Sequence, residues 1–285
     1  MRGRQTSAKT RRVREERSPK GRNGFTDGTV AVDASTQLVA EDDRLCPVEK
    51  TVEVGFGGQL SEAEFVDRPN RFLVRARVGS EVVEAHLPDP GRLRELLQPG
   101  RKIWLRPADN AKRRTQWSVV LTRSLDGCEW VSLDSTLPNR LIRVALENRA
   151  LEEFGSWRLL RPEFRMGRHR FDFLLADDQN RRQIVEVKSV TLVAGKVGLF
   201  PDAVTARGRR HLESLGGLVV EGTTKASVLF VAQRHDVEVI RAADEIDPAF
   251  SQALAEARRV GVRVLARRCQ VGLSGLELGA AIPVA

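Results

Sequence analysis

Near residue 135 the hydrophobic pattern of this chain changes period, and no other feature limits its possible folds as much. Before that point apolar residues recur at every second position in short runs. Phe72, Val74, Ala76 and Val78 alternate with Arg71, Leu73, Arg75 and Arg77, which is the pattern of a half-buried strand. A second strand is expected over residues 82–87, ended by Pro88-Asp89-Pro90-Gly91, and a short helix over 93–97. Further strands are expected at 103–105, 117–121 and 130–133. Several short strands in succession fit a small barrel of the OB type.

From Leu137 the spacing becomes helical. Pro138 suits a first helical turn, and Leu141, Ile142, Ala145 and Leu146 form a stripe that predicts a helix running to about residue 153. Strands are then expected at 158–164, 170–175 and 183–190, a helix at 205–218, strands at 228–232 and 237–240, a helix at 248–260 and a final strand at 262–266. Such alternation implies an α/β layer structure. The chain therefore divides into an extension (1–52), an OB-like domain (53–134) and an α/β domain (135–285).

The extension stands apart by charge. Residues 1–22 carry nine basic side chains against Glu15 and Glu16, so they hold +7 of the net +9 and leave +2 for all the rest. A basic segment without apolar periodicity cannot offset its ordering entropy and is expected to be disordered, either as a phosphate-binding arm or as a solvated tail. No run of about eighteen apolar residues occurs, and the N-terminus is charged, so a cytoplasmic protein without membrane spans is expected. Cys46, Cys128 and Cys269 are too few and too scattered for a disulfide framework or a paired zinc site, and read as free thiols. Tyrosine is absent, which excludes a tyrosine nucleophile.

The chemistry lies in the α/β domain. In Gln183-Ile184-Val185-Glu186-Val187-Lys188-Ser189, strand alternation sends Val185 and Val187 to one face and Glu186 and Lys188 to the other. A carboxylate and an ammonium inside an apolar strand need each other, a metal or a solvent cleft. In Phe171-Asp172-Phe173-Leu174-Leu175, Phe171, Phe173 and Leu175 are expected to share a face, with Asp172 pointing away. The order Asp, then Glu-x-Lys, resembles the PD-(D/E)XK nucleases. In that reading Asp172 and Glu186 offer oxygens to Mg²⁺ or Mn²⁺, and Lys188 orients the attacking water and stabilises developing negative charge. Glu163 and Glu147 are candidates to complete a metal shell. The alternative is a buried ion pair or an exposed strand face with no chemistry.

Longer strings narrow the choice. Glu186 to Leu192, Leu199-Phe200-Pro201-Asp202-Ala203-Val204-Thr205 and Arg207-Gly208-Arg209-Arg210-His211-Leu212 resemble the sugar fermentation stimulation protein A family. So do Arg68-Pro69-Asn70-Arg71-Phe72-Leu73, Pro90-Gly91-Arg92 and Pro138-Asn139-Arg140-Leu141. The likeness runs from about residue 54 to the C-terminus. It implies an OB-like domain, a PD-(D/E)XK domain, non-specific DNA binding and a regulatory role in sugar metabolism. It supports Asp172, Glu186 and Lys188 as the metal-site core, with Glu163 as an accessory acid. Met166 stands where the family has a tyrosine, and Leu87-Pro88-Asp89-Pro90-Gly91 where a Cys-Pro-Asn-Thr-Gly run is common.

Nucleic-acid contacts are expected from Arg71, Arg75 and Arg77 on one strand face and from Arg207, Arg209 and Arg210 after a Thr205 cap. Outward polar faces are the alternative for both sets. Trp104, Trp117 and Trp130 read as core residues or as stacking platforms, and His211 as structural. Two functions follow as expectations: a Mg²⁺- or Mn²⁺-dependent DNA nuclease, or a non-catalytic DNA-binding regulatory factor on a nuclease-like fold. A third class, an interaction module with no nucleic-acid role, would bind in a way that survives moderate salt.

Overall fold

Strands with one apolar face need that face covered, and the first half of the chain covers it by closing a sheet on itself. The computed structural model describes residues 51–108, 110, 112–167 and 169–285. All but the last two residues of the expected extension, and Cys46 with them, lie outside the described residues. The first strand, β1 (Glu53–Gly55), does not enter the barrel. The barrel is built from β2 (Ser61–Asn70), β3 (Leu73–Val78), β4 (Glu81–His86), β5 (Lys102–Pro107) and β6 (Trp117–Arg123), in the order β4-β3-β2-β5-β6. Ala85 and His86 pair in parallel with Trp117 and Ser118 to close the ring, and β7 (Trp130–Ser132) extends it beside β6. Val74, Ala76, Ala85, Ile103 and Leu105 fill the interior without solvent exposure.

Three local expectations change. Strand β2 stands where no element was expected, because charges and two register shifts near Asp67 and Asn70 hide its alternation. Phe72 lies in the turn before β3, where Asn70 Oδ1 accepts its N–H at 2.9 Å, and the residue is 48% exposed. The helix expected at 93–97 does not form. Leu93 is left-handed (φ 49°), and the carbonyls of Gly91 and Arg92 accept from the remote Arg68 guanidinium at 2.7 and 2.8 Å.

The second half opens with α1 (Leu137–Glu147), whose stripe of Leu141, Ile142, Ala145 and Leu146 is buried as the spacing predicts. Each leucine or isoleucine of the stripe contributes about 1.5–3 kcal/mol when fully buried. Then follow β8 (Arg158–Met166), β9 (His169–Ala176), β10 (Arg182–Val190), β11 (Val193–Ala194), β12 (Val197–Phe200), α2 (Ala206–Val220), β13 (Lys225–Ala232), β14 (Val239–Ala242), α3 (Pro248–Arg259), β15 (Arg263–Val271) and β16 (Gly275–Ala281). Seven strands form one mixed sheet in the order β1-β16-β15-β13-β10-β9-β8, and β11-β12-β14 form a small second sheet. The chain thus ends on β16, not on the strand expected at 262–266. Because β1 pairs antiparallel with β16, residues 53–55 belong to this sheet rather than to the barrel. One face of the sheet packs on α1, the other on α2 and α3.

Barrel and sheet share a core. Val120 and Leu121 of β6 lie in the same apolar cluster as α1, Val185 and Leu229, with Trp104 and Trp130 packed against it edge to face at 4.6 Å. Buried Gln233 accepts from Ser132 Oγ at 2.9 Å and donates to Ser189 Oγ at 2.7 Å. On the far side of the junction Asp202 Oδ2 accepts the Arg92 N–H at 2.8 Å. Gly91 allows that approach, since a Cβ there would stand 1.9 Å from Asp202 Oδ2.

Candidate active site

The ladder between β9 and β10 runs from Arg182/Ala176 to Val185/Phe173 and then stops. Beyond it the two strands part, and Asp172 fills the opening. Its Oδ2 accepts the Val187 N–H at 2.8 Å, taking the place of a strand carbonyl, and its Oδ1 accepts Asn139 Nδ2 of α1 at 2.8 Å. The parting also breaks the expected alternation. Phe173 and Leu175 pack under α1 as expected, but Phe171 lies in the opposite cluster against Phe164 and His211.

Glu186 is 4% exposed, two residues from Lys188. Its Oε1 accepts Lys188 Nζ at 2.6 Å and contacts His211 Nδ1 of α2 at 2.6 Å, while Oε2 is buried without a hydrogen-bond partner. Burial works to raise the Glu186 pKa, but the His211 hydrogen bond and the Lys188 charge outweigh it and hold the carboxyl below its ordinary value. Asp172 goes the other way. Burial, then the charge of Glu186, raise it to about 6 against the opposing Val187 N–H and Lys188. Lys188 opens onto a cleft of about 340 Å³ whose walls include Ser189, Thr191 and Asp202 from the sheet side and Arg71, Asp89 and Gly91 from the barrel.

Two carboxylates, a buried Glu186 with a bare oxygen and a part-buried Asp172 raised in part by the charge of Glu186, fit a hard divalent cation. Among the described residues no group of three or more His, Cys, Asp or Glu side chains forms a metal cage, so further ligands would be water and phosphate oxygens. The other expected ligands stand elsewhere. Glu163 falls between the Pro162/Phe173 and Phe164/Phe171 pairs, across from Asp172. Its backbone is left-handed (φ 45°), however, and its largely exposed carboxylate pairs with Arg170 at 3.3 Å. Glu147 is bound to Arg143 at 2.8 Å on the exposed side of α1. Asn139, two turns earlier, is the α1 residue that reaches the site.

The arginines scatter. Arg75 and Arg77 are exposed on β3, but Arg75 is already paired with Asp67. Arg71 sits in the turn before that strand and lines the cleft instead of sharing their face. Thr205 caps α2 as expected, accepting the Gly208 N–H at 3.1 Å. Arg207 and Arg210 are exposed on that helix, whereas Arg209 pairs with Glu213 and lines a groove between α2 and α3. Sequence reasoning did not single out Asn139 or give His211 a part in the site. The strings holding them, Pro138-Asn139-Arg140-Leu141 and Arg207 to Leu212, were the available signal.

Comparisons with known proteins agree with this architecture. The family model for the SfsA N-terminal OB domain matches residues 66–133, and that for the sugar fermentation stimulation protein RE domain matches residues 136–275. A sugar fermentation stimulation protein homolog of Chloroflexus aurantiacus is 42% identical over 233 residues, covering 82% of this chain and 88% of its own. That of Moorella thermoacetica is 46% identical over 213 residues, covering 74% and 90%. A solved structure of Pyrococcus furiosus SfsA in complex with Ca²⁺ matches with a TM-score of 0.75 at 26% identity, over 82% of this chain and 99% of that one. With an OB barrel leading into a PD-(D/E)XK restriction-endonuclease-like sheet, and relatives matched across both, the chain belongs to the sugar fermentation stimulation protein family.

Proposed function

We propose that this protein is a DNA phosphodiesterase that works with Mg²⁺ or Mn²⁺ and binds DNA without sequence preference, in the cytoplasm. The observation that carries the reading is the pairing of part-buried Asp172 with buried Glu186, joined through Lys188 to the cleft. A fold kept only to bind phosphate has no use for gathered carboxylates, which repel the ligand unless a cation joins them. The Pyrococcus furiosus relative was solved with Ca²⁺, another hard cation with oxygen ligands, which supports the choice of metal.

Asp172 and Glu186 would hold the cation, which when bound polarises a phosphoryl oxygen and offsets its charge. The remaining work falls to side chains. Asn139 and the Val187 N–H fix the Asp172 carboxylate. His211 and Lys188 fix Glu186 through one oxygen and leave the other free. Lys188 Nζ stands where it can hold a water by its lone pair and stabilise the charge that develops on the phosphate. Arg71 on the opposite wall offers a guanidinium to the same phosphate or its neighbour.

The rival reading is a non-catalytic regulatory factor for sugar metabolism, and the small charge of the body outside residues 1–22 favours it. Cleavage of single- and double-stranded DNA with Mn²⁺ or Mg²⁺ separates the two. Asp172→Ala and Lys188→Ala are each expected to slow cutting by about 10²-fold or more with DNA binding retained. Binding without cutting by the unmodified protein would turn the conclusion to the regulatory factor.

A further inference from the structure

A second cavity, of about 480 Å³, lies on the barrel beside the cleft. The two share a wall. Pro88 borders the barrel cavity while Asp89 and Gly91 border the cleft, and Asp134 and Thr136 border one while Ser135 borders the other. The barrel cavity is basic, lined by Arg106, Arg113 and Arg114 together with His86. Asp134 is the acidic residue on its wall, and that carboxylate is engaged by the Thr136 N–H at 3.0 Å and hydroxyl at 2.6 Å.

Two of the three arginines are held in place by their surroundings. Arg113 donates to Ser118 Oγ at 3.1 Å and Thr115 Oγ1 at 3.4 Å, Arg106 donates to the Phe56 carbonyl at 2.6 Å, and Arg114 is exposed. At the edge of the cavity the His86 ring stacks on Phe72, with centroids 6.5 Å apart and planes 20° from parallel. Phe72 is the one aromatic among the exposed large hydrophobic side chains of the described residues. It directly follows Arg71, which lines the cleft. Burial, then the nearby Arg113, lower the His86 pKa, so at neutral pH this ring adds an aromatic face rather than a charge.

We propose that Phe72 and His86, with Arg106, Arg113 and Arg114, form a second nucleic-acid site. It holds single-stranded DNA as the strand leaves the catalytic cleft, one base stacked on Phe72 and a phosphate among the arginines. An isolated exposed phenylalanine is ordinary surface. An exposed ring stacked on a neutral histidine, beside a basic cavity and one residue from the cleft, has the two parts that single-strand binding needs: a platform and a charged groove. The barrel's tryptophans are already engaged: Trp104 and Trp130 pack on each other against the shared core, and Trp117 packs against the barrel interior.

This inference rests on DNA as the ligand of the cleft, so its test separates the two. Binding of the full-length protein to fluorescein-labelled oligothymidylate and to a duplex is followed by anisotropy, with chelator present so that nothing is cut. Phe72→Ala is expected to weaken oligothymidylate binding by about tenfold and duplex binding by less than about twofold. Arg114→Gln is expected to flatten the dependence of log affinity on log salt by about 0.7 for the single strand. Circular dichroism checks that both variants fold; Arg114→Gln alone decides if Phe72→Ala does not. Unchanged oligothymidylate binding in both variants, or equal weakening on duplex, overturns the second site and leaves the cleavage reading standing. Loss in the variants without any cutting by the unmodified protein keeps the second site and defeats the cleavage reading. No oligothymidylate binding by the unmodified protein defeats the second site and leaves the cleavage reading to its own assay.

Discussion

Glu186 places two partners on one oxygen and none on the other, and that asymmetry depends on a residue from another element. His211 reaches it from α2, with the ring buried against Phe171 and His169. Removing His211 leaves Oε1 with Lys188 alone and frees the carboxylate to turn. His211→Ala is therefore expected to weaken Mn²⁺ binding about 10–100-fold in calorimetric titration without DNA, with partial recovery in His211→Gln. Affinity unchanged in both variants would reduce His211 to a packing residue. Asp172, Glu186 and Lys188 were legible because polar residues inside apolar strands demand an explanation. Asn139 and His211 were not, since a polar residue on a helix is unremarkable until the fold turns it inward. Glu163 and Glu147 show the converse: the right residue type on nearby elements, each spent on an arginine.

Among the elements, the segment between β4 and β5 departs most from its sequence pattern, and its own acid explains part of its behaviour. Asp89 is buried, and burial, set against the Gly91 N–H and joined by the charge of Asp202, raises its pKa to about 6. In the unfolded chain it titrates near 3.8. Between these values the folded form keeps a proton that the unfolded form has lost. The Asp89 contribution to stability therefore declines as pH rises from about 4 to about 6 and stays lost above. The full penalty is about 3 kcal/mol. Asp89→Asn keeps the oxygen that accepts the Gly91 N–H and removes the charge. It is expected to raise Tm by several degrees at about pH 8 and by little at about pH 4. A gain equal at both pH values would place the effect in something other than ionisation. The helix expected at 93–97 is interrupted at its start, where Leu93 is left-handed and Arg68, from a distant strand, holds the Gly91 and Arg92 carbonyls just before it. Local pattern carries no trace of such a remote claim. By contrast the start and buried face of α1 were readable, because Pro138 and its apolar stripe agree and the tertiary structure uses both, although the helix ends at Glu147 and not near residue 153.

At the level of the whole molecule, the period change near residue 135 located the passage from barrel to sheet but gave no sign of how firmly they are joined. Val120, Leu121, Trp104 and Trp130 complete the core that α1 covers, and Gln233 bonds to Ser132 on one side and Ser189 on the other. Two units sharing one core are expected to unfold together, as a single calorimetric transition with barrel and sheet probes coincident. Two resolved transitions would show that the junction is weaker than its packing. The pairing of β1 with β16 adds a constraint of time. Glu53 lies opposite Glu277, with the whole barrel and nearly the whole second domain between them in sequence. As the chain leaves the ribosome, β1 emerges before its partner strand has been made, so the sheet edge closes last, and a product truncated before β16 leaves both β1 and β15 with unpaired backbone.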